Sequence, residues 1–224
     1  MTHTILATYD RVEDAHAAID ALRAAGFEQK NIGLAVNDPS KEYAGYVDKD
    51  MTAGEGASLG AGAGALMGAL AGLVAITIPG VGPVIAAGPL SAALGALFGA
   101  GVGAASGAVT GSVVAGLIGM GVPEEDAHYY AEGLRRGSSL VAVTVHDNES
   151  DRAMRILNEH GPVDMDERMK QWRANNWEGF DPMVEPYTAE TLAKERNRYY
   201  DDDTKRVVNP NDNYTSTVRK YPVD

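Results

Sequence analysis

Residues 78–89 read IPGVGPVIAAGP, and their reading decides the fold, because Pro79, Pro83 and Pro89 interrupt any continuous helix here and a glycine ladder runs on each side. The first ladder is Gly56, Gly60, Gly64, Gly68 and Gly72; the second is Gly95, Gly99, Gly103, Gly107 and Gly111. A step of four turns about 400° at 3.6 residues per turn, which sets the five glycines of each ladder along one helix face. Glycine inside a helix costs about 1 kcal/mol relative to alanine, so such a face makes sense where a second backbone approaches closely. The pattern predicts an antiparallel glycine-zipper helical hairpin, with helices over 56–78 and 90–119 and the turn at 79–89.

Charge sharpens the same boundary. Residues 56–123 contain no Asp, Glu, Lys or Arg and hold 18 of the 26 glycines, so the net charge of -12 belongs wholly to 1–55 and 124–224. A helix over 56–78 would be about 34 Å long, enough for a hydrocarbon core of about 30 Å, and one over 90–119 would reach about 45 Å and must tilt or bend. Lys49, Arg135 and Arg136 flank the outer ends, which places both ends in the cytosol and expects a hairpin in the cytoplasmic membrane, with lipid and further copies of the chain as partners. The competing expectation is a soluble or membrane-surface assembly in which the hairpin is buried between copies, since uncharged surface of this extent marks association.

The acidic balance argues against nucleic acid as a partner, because phosphate affinity is supplied by clustered Lys and Arg. With no cysteine there is no disulfide framework, thiolate metal site, thiol catalysis or cysteine lipidation. The opening MTHTILATYDRVEDAH lacks a basic region followed by an apolar run, so no signal peptide is expected.

Outside the block the sequence alternates strand and helix signals. TILATY at 4–9 is apolar and β-prone; Asp10 and Glu13 have capping-box spacing before Val12, Ala15, Ile19 and Leu22, and Gly26 closes the helix. NIGLAVN at 31–37 is a second strand, broken by Asp38-Pro39-Ser40. Beyond the block, Pro123 followed by Glu124, Glu125 and Asp126 opens a helix that Gly137 ends behind Arg135 and Arg136. SSLVAVTVH at 138–146 is the strongest strand signal; a helix carrying Ala153, Ile156, Leu157 and His160 follows, then a short last strand at Val163 to Met165. Setting aside the block and the helix behind it leaves β-α-β-β-α-β, so the expected class is α+β: a ferredoxin-like domain interrupted by the zipper hairpin. The organisation expected is 1–50 and 122–166 as the two halves of that domain, 51–121 as the hairpin, and 167–224 as a helix and a polar, acidic, tyrosine-rich tail.

Several motifs imitate chemistry. Gly56-Ala57-Ser58-Leu59-Gly60 matches a nucleophile elbow, but no buried strand precedes it. GAGVGAASG at 99–107 has phosphate-loop glycines without a strand-to-helix turn, and the block has no lysine for a Walker loop. His3, His16, His128, His146 and His160 show no metal-ligand spacing and read as surface or helix-end histidines. No catalytic residue, metal ligand or cofactor is expected, and the ten ladder glycines are the candidate functional residues. Trp172 and Trp177 fit either a bilayer interface beside Arg168, Lys170 and Arg173 or a helix-packing stripe with Met165 and Met169.

ATYDRVEDAHAAIDALRAAGF, the ladder with IPGVGPVIAAGPLSAALGALFGAGVG, and GVPEEDAHYYAEGLRRGSSLVAVTVHD together resemble the bacterial heat-induced general stress protein (YflT-type) family over about residues 4–166. The resemblance implies a stress-induced, non-enzymatic protein and supplies no catalytic residues; the 167–224 tail departs from it. The expectation is therefore a structural stress protein that self-associates through the hairpin. A second class, a sensor whose sheet binds a small effector while the hairpin anchors it, finds no convergent polar site in the strands.

Overall fold

The structure is a computed structural model that describes residues 1–41, 73–98, 113–200 and 216–223. In the first segment β1 (Thr2–Tyr9), α1 (Val12–Ala24) and β2 (Ile32–Asn37) fall where the periodicity put them. The second holds β3 (Val74–Ile78), β4 (Gly82–Ala87) and α2 (Gly88–Phe98). The third holds α3 (Val113–Ile118), α4 (Glu124–Arg135), β5 (Ser139–His146), α5 (Asp147–Asn158), α6 (Met165–Ala174) and α7 (Ala189–Tyr200). The last is β6 (Val218–Val223).

The class is α+β. One sheet of 6 strands runs β3-β4-β2-β5-β1-β6, every neighbouring pair antiparallel. β2 and β5 are its two middle strands, and β5 pairs on its other side with β1 from Thr2↔His146 to Tyr9↔Ser139. Successive side chains of a strand point to opposite faces, and both faces are covered here. Ile5, Ala7 and Tyr9 pack under α1 and α5 with Ile19, Leu22, Ala153 and Leu157. Leu6 enters the other layer, made by α2, α3, α4 and α6 through Leu90, Val113, Tyr130 and Met169. Burial on two faces explains why β1 and β5 read as continuous apolar runs rather than alternating ones. Each fully buried Leu or Ile contributes roughly 1.5–3 kcal/mol, so the sheet centre is the main source of stability.

The stretch at 78–89 is not a turn between helices. Residues 74–78 and 82–87 form a β-hairpin, Val74↔Ala86 to Ile78↔Gly82, and β4 continues onto β2 from Leu34↔Ala87 to Asn37↔Val84. The physical reason is local: the four-residue ladder stops at Gly72, and VAITI after it is rich in β-branched residues, which favour a pleated strand over a helix. Its prolines are compatible with strands, because Pro79 lies in the turn and Pro83 near a strand start, where a missing N–H is tolerated. Gly88 then swings the chain into α2 at φ +60°, with the Ile32 carbonyl so close that any side chain would collide with it.

The expected last strand at 163–165 is also absent. Val163 donates one backbone bond of 2.8 Å to the Thr8 carbonyl and the chain enters α6, while the place beside β1 is taken by β6 from the far C-terminal tail. VRKYPV, with two cations and a proline, carries a weak strand signal of its own and acquires its conformation from the β1 edge.

Of the ladder, Gly56, Gly60, Gly64, Gly68, Gly72, Gly99, Gly103, Gly107 and Gly111 lie outside the described residues, as do Ser58 and the 99–107 motif; Gly95 lies in α2. Among the described residues no helix is long and apolar enough to cross a membrane.

Candidate functional site

A dense polar cluster lies where α4 meets β6. Pro123 precedes α4 and Glu124, Glu125 and Asp126 fill its first turn, where the helix dipole favours negative charge. Glu124 and Glu125 are exposed, whereas Asp126 is 8% exposed and turns inward. Its Oδ1 accepts from the Arg219 guanidinium at 2.6 Å and its Oδ2 from the Tyr221 hydroxyl at 2.7 Å. The second guanidinium nitrogen of Arg219 donates to Asp166 on α6, and the Tyr221 and Tyr130 hydroxyls are 3.0 Å apart. Arg219 thus forks between carboxylates on two helices while Tyr221 bridges the strand to α4, a charge-assisted arrangement stronger than neutral hydrogen bonds.

Further contacts fasten the same strand. Thr217 donates to Asn158 at 2.7 Å, Ser216 to Asp164 at 3.1 Å, and Lys220 approaches Asp147 at 3.5 Å, an acid that His3 also reaches at 2.9 Å. Gly121, at φ +87°, lies directly beneath the Pro222 carbonyl, so a side chain there would displace the strand.

Around this cluster the aromatic rings form a continuous chain. Tyr221 and Tyr130 are 6.4 Å apart, Tyr130 and Tyr129 5.4 Å, Tyr129 stacks on Trp172 at 5.2 Å, and Trp172 meets Trp177 edge-on at 5.4 Å. Trp172 is 3% exposed beside Met165 and Met169, which places it on the helix-packing stripe. Burial raises the ionisation of Tyr129 to about 12 and pushes Tyr130 and Tyr221 still higher. All three therefore stay protonated at neutral pH and act as hydrogen-bonding groups rather than bases. Beyond the chain, Arg168 grips Asp10 through bonds of 3.0 and 2.7 Å, and the nearly inaccessible Glu132 accepts from Arg135 and Arg136.

Chemically, this arrangement holds an extended segment of chain. Among the described residues no group of three His, Asp or Glu could hold a metal ion. His3 departs from the surface expectation: it is 9% exposed within β1. His128 accepts from the Phe180 backbone N–H at 3.0 Å, and His16 pairs with Asp20 at 3.1 Å along α1.

β1, α1, β2, the first ladder and β3 occupy a contiguous stretch of sequence, and most of that stretch is similar to one family model. Residues 4–80 match the model of the heat induced stress protein YflT domain. The match ends in the turn between β3 and β4, so the matched residues supply the β1 edge of the site but neither α4 nor β6. No curated protein and no solved structure matches the chain.

Of the ten ladder glycines, nine lie outside the described residues and the tenth, Gly95, lies in α2. The residues that build the cluster outside the matched stretch, Asp126, Tyr130, Asp166, Arg219, Tyr221 and Gly121, carry no motif. Their signal was faint: an acid in a helix's first turn, and a Val, Arg, Lys, Tyr run in a tail whose composition reads as polar.

Proposed function

We propose that the protein is a non-enzymatic general stress protein that self-associates through its two glycine ladders, in or on the cytoplasmic membrane, with the sheet body and its termini on the cytosolic side. The stress role is supported by the match of residues 4–80 to the heat induced stress protein YflT domain. Self-association is supported by the ladder spacing, because ten glycines at a step of four in an uncharged segment serve close helix approach and little else. The body around them is a ferredoxin-like βαββαβ arrangement in this reading, its last strand supplied by the tail. A second reading, assembly without lipid, draws on the described helices, none of which is long and apolar enough to cross a membrane.

Particle mass and lipid content after mild extraction separate the two. Lipid co-purifying with a multi-subunit particle is the expected result; a lipid-free particle released at low salt would replace insertion by self-assembly, and a monomer would end both. Gly64→Leu together with Gly103→Leu should reduce particle size, and an unchanged elution profile would overturn the zipper.

A further inference from the structure

The row of five aromatic rings has two unlike ends. Trp177, just past α6, is the outer end: it is partly exposed, and its indole N–H is buried without an acceptor among the described residues. Tyr221 is the inner end, buried, and donates its hydroxyl to the Asp126 carboxylate at 2.7 Å. That hydroxyl has one proton, committed to Asp126, so the Tyr130 hydroxyl 3.0 Å away is the donor to Tyr221. Tyr129 faces the Thr8 hydroxyl at 3.4 Å, which is no base. Neighbouring rings lie between 5.2 and 6.4 Å apart from centre to centre, so each touches the next from the surface to Asp126.

The difference between the ends gives the row a direction. Removing one electron from a buried ring leaves a positive charge in an apolar surrounding, which is costly unless a proton departs with it. An oxidised indole at Trp177 finds no acceptor for its proton, keeps it, and remains a strong oxidant towards the next ring. An oxidised phenol is a strong acid, and at Tyr221 a carboxylate already accepts its hydrogen bond. The electron vacancy therefore comes to rest at the inner end, where the charge is cancelled by a proton shift of one hydrogen bond.

We propose that the row Trp177, Trp172, Tyr129, Tyr130 and Tyr221 conducts one-electron oxidation inward from the surface, with Tyr221 holding the radical and Asp126 holding its proton. The oxidant is a small inorganic radical, such as the azide or carbonate radical, which takes one electron from Trp177 and leaves as the azide or carbonate anion. Electrons then pass outward ring by ring, and Tyr221 supplies the last one while its hydroxyl proton moves to Asp126 Oδ2. The products are a neutral Tyr221 phenoxyl radical, a protonated Asp126 and the inorganic anion. An enediol reductant of the ascorbate class returns one electron, and the phenolate, a stronger base than a carboxylate, takes its proton back. The activity is radical quenching, goes beyond the ladder reading and uses no ladder residue.

Pulse radiolysis of the full-length chain in azide solution tests this directly, because the azide radical attacks indoles in preference to phenols and both tryptophans of the sequence lie in the row. The tryptophanyl absorption should decay as a tyrosyl absorption grows, at a rate independent of protein concentration and slower in D2O than in H2O. Tyr221→Phe should remove most of the tyrosyl signal, and so should Asp126→Asn, which keeps an acceptor oxygen and removes the base. Tyr9→Phe is the control: Tyr9 lies on the opposite face of the sheet, bonded to the Leu157 carbonyl, and its loss should change neither signal. Tryptophanyl decay without tyrosyl growth in the unaltered chain, or growth whose rate rises with protein concentration, would overturn the proposal. Tyrosyl growth unchanged in folded Tyr221→Phe would overturn it as well. Should the variants fail to fold, the unaltered chain still decides, since equal rates in H2O and D2O would remove the coupled proton step.

Discussion

The two edges of the sheet are built from opposite materials. β3, at one edge, comes from the uncharged block and is held by apolar packing: Ile78 is fully buried, Val74 and Ile76 lean on the same core, and Ala75 and Thr77 face outward. β6, at the other, carries two cations and is held by carboxylates and tyrosine hydroxyls on α4, α5 and α6. An apolar edge is fastened by a non-directional force proportional to area, whereas a polar edge is fastened by a few directional bonds that specify which strand may sit there. One edge is therefore tolerant and the other selective.

Ile78→Ala should break the tolerant edge with the largest effect. The lost burial and the residual cavity cost about 3 kcal/mol, with little dependence on salt, and chemical denaturation at two ionic strengths checks both halves. Asp126→Ala should cost about 2 kcal/mol, because Arg219 keeps Asp166 while Tyr221 loses its acceptor. Hydrogen exchange should locate that loss in β6 and leave β3 and β4 protected; uniform loss over the sheet would erase the contrast between the edges.

Alkali should separate them further. Burial raises the ionisation of Tyr130, Tyr221 and Tyr129, the last to about 12, so the folded state keeps protons that the unfolded chain releases above about pH 10. Their contribution is complete below that value and lost as pH climbs through the folded range, at about 1.4 kcal/mol per pH unit for each tyrosine. Stability measured from pH 9 to 11.5 should fall with that slope, and Tyr221→Phe should make it shallower. β3 carries no titrating group, so its local protection should change only with global unfolding. The smallest effect belongs to Asp147, which Lys220 and then His3 hold below the usual carboxylate range. That contribution is present above the unfolded value near 4 and disappears as pH falls through the folded one, and Lys220→Met should reduce the dependence, with His3 retaining part of it, when acid unfolding is compared.

The same contrast shows how much of the molecule was legible. β1, α1, β2, α4, β5 and α5 were readable because periodicity, capping acids and terminal glycines agree locally at each. The 78–89 segment was misread because a proline is equally a stop for a helix and a resident of a strand start, and β4 becomes a strand only when β2 and β3 lie on either side. β6 was missed because nothing in VRKYPV announces burial; Tyr221 is 5% exposed solely because α4 and β1 enclose it. Asp126 was legible as a helix-start acid and illegible as a clamp, since the dipole that favours it is local and the Arg219 it holds lies far along the chain.

By itself, the sequence determined the α+β class, the central strands, the division between a charged exterior and an uncharged block, and the resemblance to a heat-induced stress family that the match at residues 4–80 supports. These depend on patterns within some ten to twenty residues, the range over which hydrogen-bond periodicity acts. Tertiary structure alone decided the sheet order, the identity of both edge strands and the polar seat of the last one. Each requires partners far apart in the chain, and burial, unlike periodicity, is a property that only the assembled molecule confers on a residue.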